Sequence, residues 1–489
     1  MTRKTFYIIT LFLTFSITQS PAQNSQVMYY MNLPQNHLLN PAFRPSTSVY
    51  IGLPVLTGIS LNLNNNFVNF SDVFMKGRPQ DSIISILNPD YNIDKFLSKI
   101  KDKNFFEPEV LVQLISLGFS VGKDNYIFFD INERIDGNIV IPGDLLKLAF
   151  RGNQEFVGSK IDLSSLRGDL KYYREIGAGF SRNFSDRLRI GIKAKLLFGI
   201  ASVSIVNNSL GVTVNDDYSH IFDADLAVNT SGLDVKTDSK NNVSSIGFDD
   251  SRLKTASGRY DFFSGRKNMG LGMDIGAAFD LTDRIVLSAS VTDLGFIRWK
   301  KDVTNLKTKN QFEFSGLNML DVINGTRSIQ DLGNDILDSL KNAFVVKNTK
   351  APFTTYLPFG ISFGGSYIVT RRFSVGLLSY SRIIEKQVRE ALTLSANFSI
   401  GNAISATASY TAENHRFDNL GAGLAFRTGI TQFYLISDRI PIMWDKIKND
   451  HNSFILPASW NSINLRIGMN LVFGTRHREA NDKPMVQIE

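Results

Sequence analysis

The stretch "SINLRIGMNLVFG", Ser462 to Gly474, separates into two lists when every second residue is read. Ile463, Leu465, Ile467, Met469, Leu471 and Phe473 form one, and Ser462, Asn464, Arg466, Gly468 and Asn470 the other; only Val472 breaks the pattern. Successive strand side chains point to opposite faces, so this is one long strand with an oily and a wet side. Strands of soluble sandwiches usually stop at about five or six residues. A tilted strand needs about ten to cross a bilayer.

The same design recurs along the chain. "GAGFSRNFSDRLRIGIKAKLLFG" (177–199), "GAAFDLTDRIVLSASVTDLG" (276–295) and "GGSYIVTRRFSVGLLSY" (364–380) each join two alternating runs through a tight polar turn. "SANFSIGNAISATASY" (395–410) and "GAGLAFRTGITQFYLISDR" (421–439) continue the series. Such pairs read as β-hairpins, and their succession predicts an up-and-down antiparallel meander of about 14 strands, within 12–16. After the Asp186 turn, Leu188, Ile190, Ile192, Ala194, Leu196 and Phe198 share one face; Arg187, Arg189, Lys193 and Lys195 share the other.

The front of the chain bears on which face looks inward. "MTRKT" is a basic start, "FYIITLFLTFSI" an apolar run too short for a comfortable membrane helix, and "TQSPAQ" offers Ser20 and Ala22 before a cut. Residues 1–22 therefore read as a cleaved signal peptide of an exported, Gram-negative outer-membrane protein. Cysteine is absent, so no disulfide staples the exported chain. No later stretch is apolar for the ~18 residues of a transmembrane helix, and only helices and closed barrels satisfy every backbone group in lipid. If the chain lies in a membrane, it does so as a β-barrel. The formal charge of +7 comes from Lys and Arg interspersed with Asp and Glu, which does not indicate nucleic acid.

Long connections separate the hairpins. "QDSIISIL", "NIDKFLSKI" and "GDLLKLAF" read as short helices. In the 300–356 insertion, Ile329, Leu332, Ile336, Leu337, Leu340 and Phe344 form a helical stripe started by Ser328 and Asp331. Long loops alternating with short turns match the external and periplasmic ends of a barrel.

Little in the chain suggests catalysis or cofactors. The five histidines, at 37, 220, 415, 451 and 477, have no second ligand at metal spacing. Asp216, Asp217, Asp223 and Asp225 lack the EF-hand order and read as a solvated loop or strand end. "GLGMDIG" opens a strand without the phosphate-loop ending, and no G-x-S-x-G elbow occurs. Glycines here serve curvature or close packing in a wall. The expectation is a non-enzyme without cofactor or metal.

With the oily faces outward, Arg187, Arg189, Lys193, Lys195, Asn464, Arg466 and Asn470 are lumen-facing candidates. The basic ones either select anionic or amphipathic cargo or pair with neighbouring acids and fill the barrel. Trp299, Trp444, Trp460, Tyr356, Tyr380, Tyr410 and Tyr434, near expected strand ends, suit an aromatic girdle.

The stretch "LPQNHLLNPAFRP", with Leu33, Pro34, Asn40, Pro41, Ala42 and Phe43, resembles the opening of a family of Bacteroidota outer-membrane β-barrels of unknown function. "NPAF" is also similar to the start of barrels associated with type IX secretion and gliding motility, and "YREIGAGFS" and "DLGFIRWKKD" look like landmarks of the first family. A looser likeness is to long-chain fatty-acid transporter barrels, which implies that the N-terminal segment enters or caps the lumen.

These observations predict an all-β, transmembrane antiparallel barrel over 48–474, a hatch over 23–47 and a polar tail over 475–489. Lipid and the barrel-assembly machinery are the expected partners. The expected function is passive passage of small hydrophobic or amphipathic molecules. The alternative is an accessory barrel docking secretion or motility proteins through 300–356. A soluble secreted β-protein remains if the oily faces pack together.

Overall fold

The computed structural model describes residues 26–54, 56–69, 72, 74–76, 83–85, 92–216, 219–237, 243–247, 254–264, 268–314, 349–385, 387–413, 416–441, 444–449, 452–457 and 462–474. The leader at 1–22, the polar tail at 475–489, Trp460 and the helical stripe at 328–344 lie outside the described residues.

Fourteen antiparallel strands form the wall. They are β1 (Val49–Gly52 continued by Gly58–Asn65), β2 (Lys103–Val121), β3 (Asn125–Pro142), β4 (Arg167–Asn183), β5 (Leu188–Val214), β6 (Asn268–Asp280) and β7 (Ile285–Trp299). The rest are β8 (Phe359–Ile368), β9 (Phe373–Ile384), β10 (Gln387–Ile400), β11 (Ile404–Glu413), β12 (Arg416–Thr428), β13 (Thr431–Ser437) and β14 (Ser462–Phe473). Each pairs with its sequence neighbour. The barrel closes because β14 pairs with β1, Val49 opposite Phe473 and Ile59 opposite Ile467. A closed ladder leaves no edge groups unpaired, the condition for a sheet in hydrocarbon.

The first strand is interrupted. Gly52 lies opposite Ser116 and Gly58 opposite Gln113, so residues 53–57 face only two residues of β2. The gap remains bonded: Met469 N–H donates to the Leu56 carbonyl at 2.7 Å, and the Tyr434 hydroxyl donates to that of Thr57 at 2.8 Å.

Alternation decides the faces. On β5, Ile192 and Leu196 are exposed while Lys193 and Lys195 are buried; on β14, Leu465 and Ile467 are exposed while Asn464, Arg466 and Asn470 are buried. Phe363, Leu377, Leu392, Leu394, Leu424 and Leu435 continue this outward apolar band. Monomers in water rarely expose so continuous an apolar surface, and lipid is the solvent that covers it. Val472, the residue out of pattern, is inward-facing, and packs with Tyr50, Tyr126 and Phe128.

Short turns at 122–124, 184–187, 281–284, 369–372, 401–403 and 429–430 lie at one end, which is the periplasmic end by the usual asymmetry of such barrels. At the other end the chain builds outward. At about 3.3 Å per residue β5 extends roughly 90 Å, far beyond the ~30 Å hydrocarbon layer. Its distal part pairs with His220–Ser231, which pairs in turn with Val303–Phe314. Helix Gly143–Arg151 lies against this extension, with Leu145 packed on Ile161, Leu163, Leu210 and Val212.

Several loop expectations need correction. Ile83–Ser85 is a strand paired with Phe74–Lys76, not a helix; adjacent β-branched Ile83 and Ile84 favour extended backbone. The described part of the 300–356 insertion is sheet: Val303–Phe314 joins the external extension, and Phe353–Tyr356 pairs with β7. The aromatic girdle is also partial. Tyr356, Tyr410 and Trp444 are exposed, whereas Trp299, Tyr380 and Tyr434 are buried. Strand parity turns Trp299 inward, where its indole N–H donates to the Thr355 hydroxyl at 2.9 Å.

Candidate functional site

Residues 26–47 fold into the periplasmic half of the lumen. Two short 3₁₀ turns, Met28–Tyr30 and Pro34–Leu38, compact the segment, and Pro34 opens the second with its fixed φ at a position needing no N–H. Leu33 packs with Val27, Met28 and Met31 against Ala425, Tyr434 and Ile436. Ala42 and Phe43 pack with Tyr29 and Tyr30 against Ala278, Val286 and Leu378. The resulting hatch is a small hydrophobic core shared with the barrel wall.

Polar contacts tie it around the wall. Val27 N–H donates to Asp438 Oδ1 at 2.7 Å, and the Tyr30 hydroxyl to the Leu377 carbonyl at 2.7 Å. Gln35 and Asn470 exchange amide hydrogen bonds of 2.6 and 3.1 Å. Asn40 accepts from Ala42 N–H at 2.9 Å and donates to the carbonyls of Ala277 and Ala289. Arg44 reaches the Asp124 carbonyl at 2.7 Å. The "NPAF" motif thus makes a side-chain-closed turn seated on β5, β6 and β7.

Wall glycines make room for it. A Cβ at Gly191 would collide with the Pro41 carbonyl, and one at Gly376 would stand 2.5 Å from the Tyr30 ring. Gly276, in the "GLGMDIG" stretch, gives the same clearance to Asn40.

Beyond the hatch an ionic belt fills the interior. Lys193 lies 3.0 Å from both Asp130 and Glu175; Lys195 lies 2.7 Å from Asp274 and 2.5 Å from Asp293. Arg134 joins Glu175 at 3.0 Å and Asp293 at 2.6 Å, and Arg382 joins Glu109 at 2.9 Å. Arg389 pairs with Glu107. These groups are desolvated, so each charge depends on its partners.

Of the lumen-facing candidates, Lys193 and Lys195 sit in this belt, while Asn464, Arg466 and Asn470 form an inward row on β14. Asn464 bonds Asn62 across the closure, and Arg466 Nη1 lies 3.1 Å from Met28 sulfur. Arg189 shares the inward parity but stays at the rim, donating to Asn183 Oδ1 at 3.0 Å. Arg187 is a correction: it lies exposed in the 184–187 turn, because the strand begins only at Leu188. The acids of the belt and Arg134, Arg382 and Arg389 were not singled out in the sequence. Their signal was present as polar and charged residues at inward parity, as in "NYIFFDINERIDGN", where Asp130, Asn132, Arg134 and Asp136 are separated by Ile131, Glu133 and Ile135.

The interior is two-sided. β2–β7 contribute most of the charges, whereas β8–β12 present Ser362, Ser366, Thr393, Ser395, Thr407 and Ser409 together with Gly364, Gly376, Gly421 and Gly423, which face the hatch. A cavity of about 30 Å³ above the hatch is lined by Tyr29, Leu39, Leu111 and Leu378 together with Glu109, Arg134, Asp293 and Arg466. That is room for about one water.

Among the described residues, no helix is long and apolar enough to cross a membrane and no group of three His, Asp or Glu could hold a metal. Asp223 lies 4.0 Å from Lys160, and Asp225 accepts from Asn208.

No curated protein matches the chain. Among solved structures, it is similar to the Pseudomonas putida toluene transporter TodX at 9% identity over 94% of this chain and 100% of that one, with a TM-score of 0.40. It is likewise similar to a Pseudomonas aeruginosa FadL homologue (10%, 93% and 100%, TM-score 0.42) and to the Ralstonia pickettii toluene transporter TbuX (8%, 94% and 100%, TM-score 0.40). Residues 41–438 match the family of unknown function DUF5723, and the chain, a transmembrane β-barrel closed around its own N-terminal hatch, belongs to that family.

Proposed function

We propose that the protein passes small amphipathic molecules passively across the outer membrane, gated by displacement of the hatch. The observation that carries this reading is the lumen's division into an ionic half and a small-residue half, with the hatch packed between the two. Ser, Thr and Gly leave a wide space only where something else occupies it, and here residues 26–47 do. Displacing them opens a path with charges on one side and small polar groups with apolar patches on the other, suited to a cargo having both kinds of surface. The cavity above the hatch, lined by Leu39, Leu378, Glu109 and Arg134, already combines these chemistries.

The test is solute entry into liposomes holding the full chain or a form lacking residues 23–45. The truncated barrel is expected to admit small amphipathic solutes that the full chain admits slowly. A correctly folded truncated barrel that stays impermeable overturns the reading.

A second reading is favoured by the external extension, three long strands standing beyond the membrane band. An accessory barrel of a secretion or gliding apparatus would offer that sheet to partner proteins. Co-purification of such components, lost when the distal part of His220–Ser231 is altered and kept when the hatch is deleted, would favour docking over transport.

A further inference from the structure

The external end carries a groove of about 470 Å³ that the transport reading does not use. Its lining includes Lys300, Lys301 and Lys350, with Asp234, Asp302 and Thr304. The three lysines are exposed and have no carboxylate partner among the described residues, whereas Asp234 lies 3.7 Å from Lys236.

The groove is preorganised. The side-chain oxygen of buried Asn268 accepts from the backbone N–H groups of both Lys300 and Lys301, at 2.8 and 2.9 Å. The Asn268 amide donates to the Ser231 hydroxyl at 3.2 Å, and that hydroxyl donates to the Lys301 carbonyl at 2.8 Å. Asp302 completes the turn with φ +53°, and Gly232 N–H donates to its carbonyl at 3.1 Å. Lys350 is fixed from both sides: Thr349 bridges to Asn305, and Ala351 N–H donates to Asn305 Oδ1 at 2.8 Å. Three flexible cations thus stand on two rigid backbone segments, which lowers the entropic cost of converging on one ligand.

Its height on the barrel identifies the ligand's origin. Along the outward face of β7 the exposed residues run Leu294, Phe296 and Arg298, then Lys300 just beyond the strand. Phe296 is paired with Tyr356, which is 74% exposed. Apolar, aromatic, then cationic is the order met on leaving hydrocarbon for the headgroup layer. The groove therefore opens at the outer-leaflet boundary. Asp234 and Asp302 would repel a bare anion but accept hydrogen bonds from sugar hydroxyls.

From this placement we propose that the Lys300–Lys301–Lys350 groove binds the phosphorylated sugar headgroup of an outer-leaflet glycolipid. The lysines meet phosphate, the carboxylates meet sugar hydroxyls, and the acyl chains lie along the Leu294–Phe296 face. The site is separate from the lumen and holds whether or not cargo is transported.

The test is binding of the full chain in detergent to three probes: a phosphorylated lipid A, the same lipid A with its phosphates removed, and inorganic phosphate. Selective retention of the phosphorylated lipid is expected. With about fivefold per lysine near a membrane surface, the K300Q/K301Q/K350Q variant should bind roughly a hundredfold more weakly, and the triple Arg variant should retain most affinity. A gel band that shifts on boiling as the unaltered protein's does confirms that each variant remains a folded barrel. Equal binding by the triple Gln variant, or by the dephosphorylated lipid, overturns the proposal. Binding of inorganic phosphate as tightly as the lipid overturns its lipid origin.

Discussion

His37 of the hatch meets Asp130 of the wall with its Nε2 2.8 Å from the carboxylate, and both side chains are buried. The other ring nitrogen lies 2.6 Å from the Pro34 carbonyl, and the ring packs on Phe128 at 4.5 Å between centroids. Asp130 also faces Lys193 and accepts from the Ser116 hydroxyl at 2.6 Å. One carboxylate therefore joins the hatch to the ionic belt.

Replacing His37 with Leu removes a hydrogen bond to a charged group, worth about 1.5–3 kcal/mol. The hatch should open roughly ten- to hundredfold more often. Because the chain has no cysteine, a single Cys placed at Leu38 reports this as a faster thiol-labelling rate. An unchanged rate would show that His37 does not hold the hatch.

Substitution at the hatch seats should separate backbone from side-chain crowding. Gly191→Val collides with the Pro41 main chain, which cannot rotate away, whereas Gly376→Val meets the Tyr30 ring, which can. Valine suits a strand, so both barrels should assemble. Liposome permeation is expected to rise more in Gly191→Val, approaching that of the hatch-deleted protein. The reverse order would mean that the NPAF turn is not the main seat.

The ionic belt should be costly to break at one partner. Lys193→Met leaves Asp130 and Glu175 short of a cation, a loss of about 3–5 kcal/mol for a buried pair. The temperature at which the folded gel band disappears should fall clearly, and adding Asp130→Asn should recover part of the loss. Additive losses in the double variant would show that the two charges do not interact.

The lipid-facing assignment predicts an asymmetric response along β14. Ile467 is 51% exposed on the outward face, and Arg there should cost about 2–4 kcal/mol near the bilayer midplane. Urea unfolding from lipid vesicles measures it. A solvated surface would give a change within about 0.5 kcal/mol, which would contradict the membrane band.

The wall was legible in the sequence because strand alternation is local. Ile463 to Phe473 assigns its own faces, and the long hairpins predicted about fourteen strands, within 12–16, of which the closed wall has fourteen. Length and turn chemistry supplied the topology for the same reason, since each hairpin is written in consecutive residues. The parity of Lys193, Lys195 and Asn464 followed from the same rule. Where a strand begins did not, and so Arg187 fell in a turn. Helical spacing misled at Ile83–Ser85, where short segments take their form from the neighbour they pair with.

The contents of the lumen were decided only by tertiary structure. Arg134 and Asp293 are 159 positions apart yet share a 2.6 Å ion pair, and Val27 bonds Asp438 across 411 positions. No local periodicity encodes such partners, because they are set by barrel closure and by the path the hatch takes inside it. Val472 shows both halves of this. Its parity directed it inward, and only the closed barrel supplied Tyr50, Tyr126 and Phe128 to make that apolar side chain part of a core. The sequence by itself determined the wall and its faces; the tertiary structure decided what fills it, because filling depends on contacts between residues the chain keeps far apart.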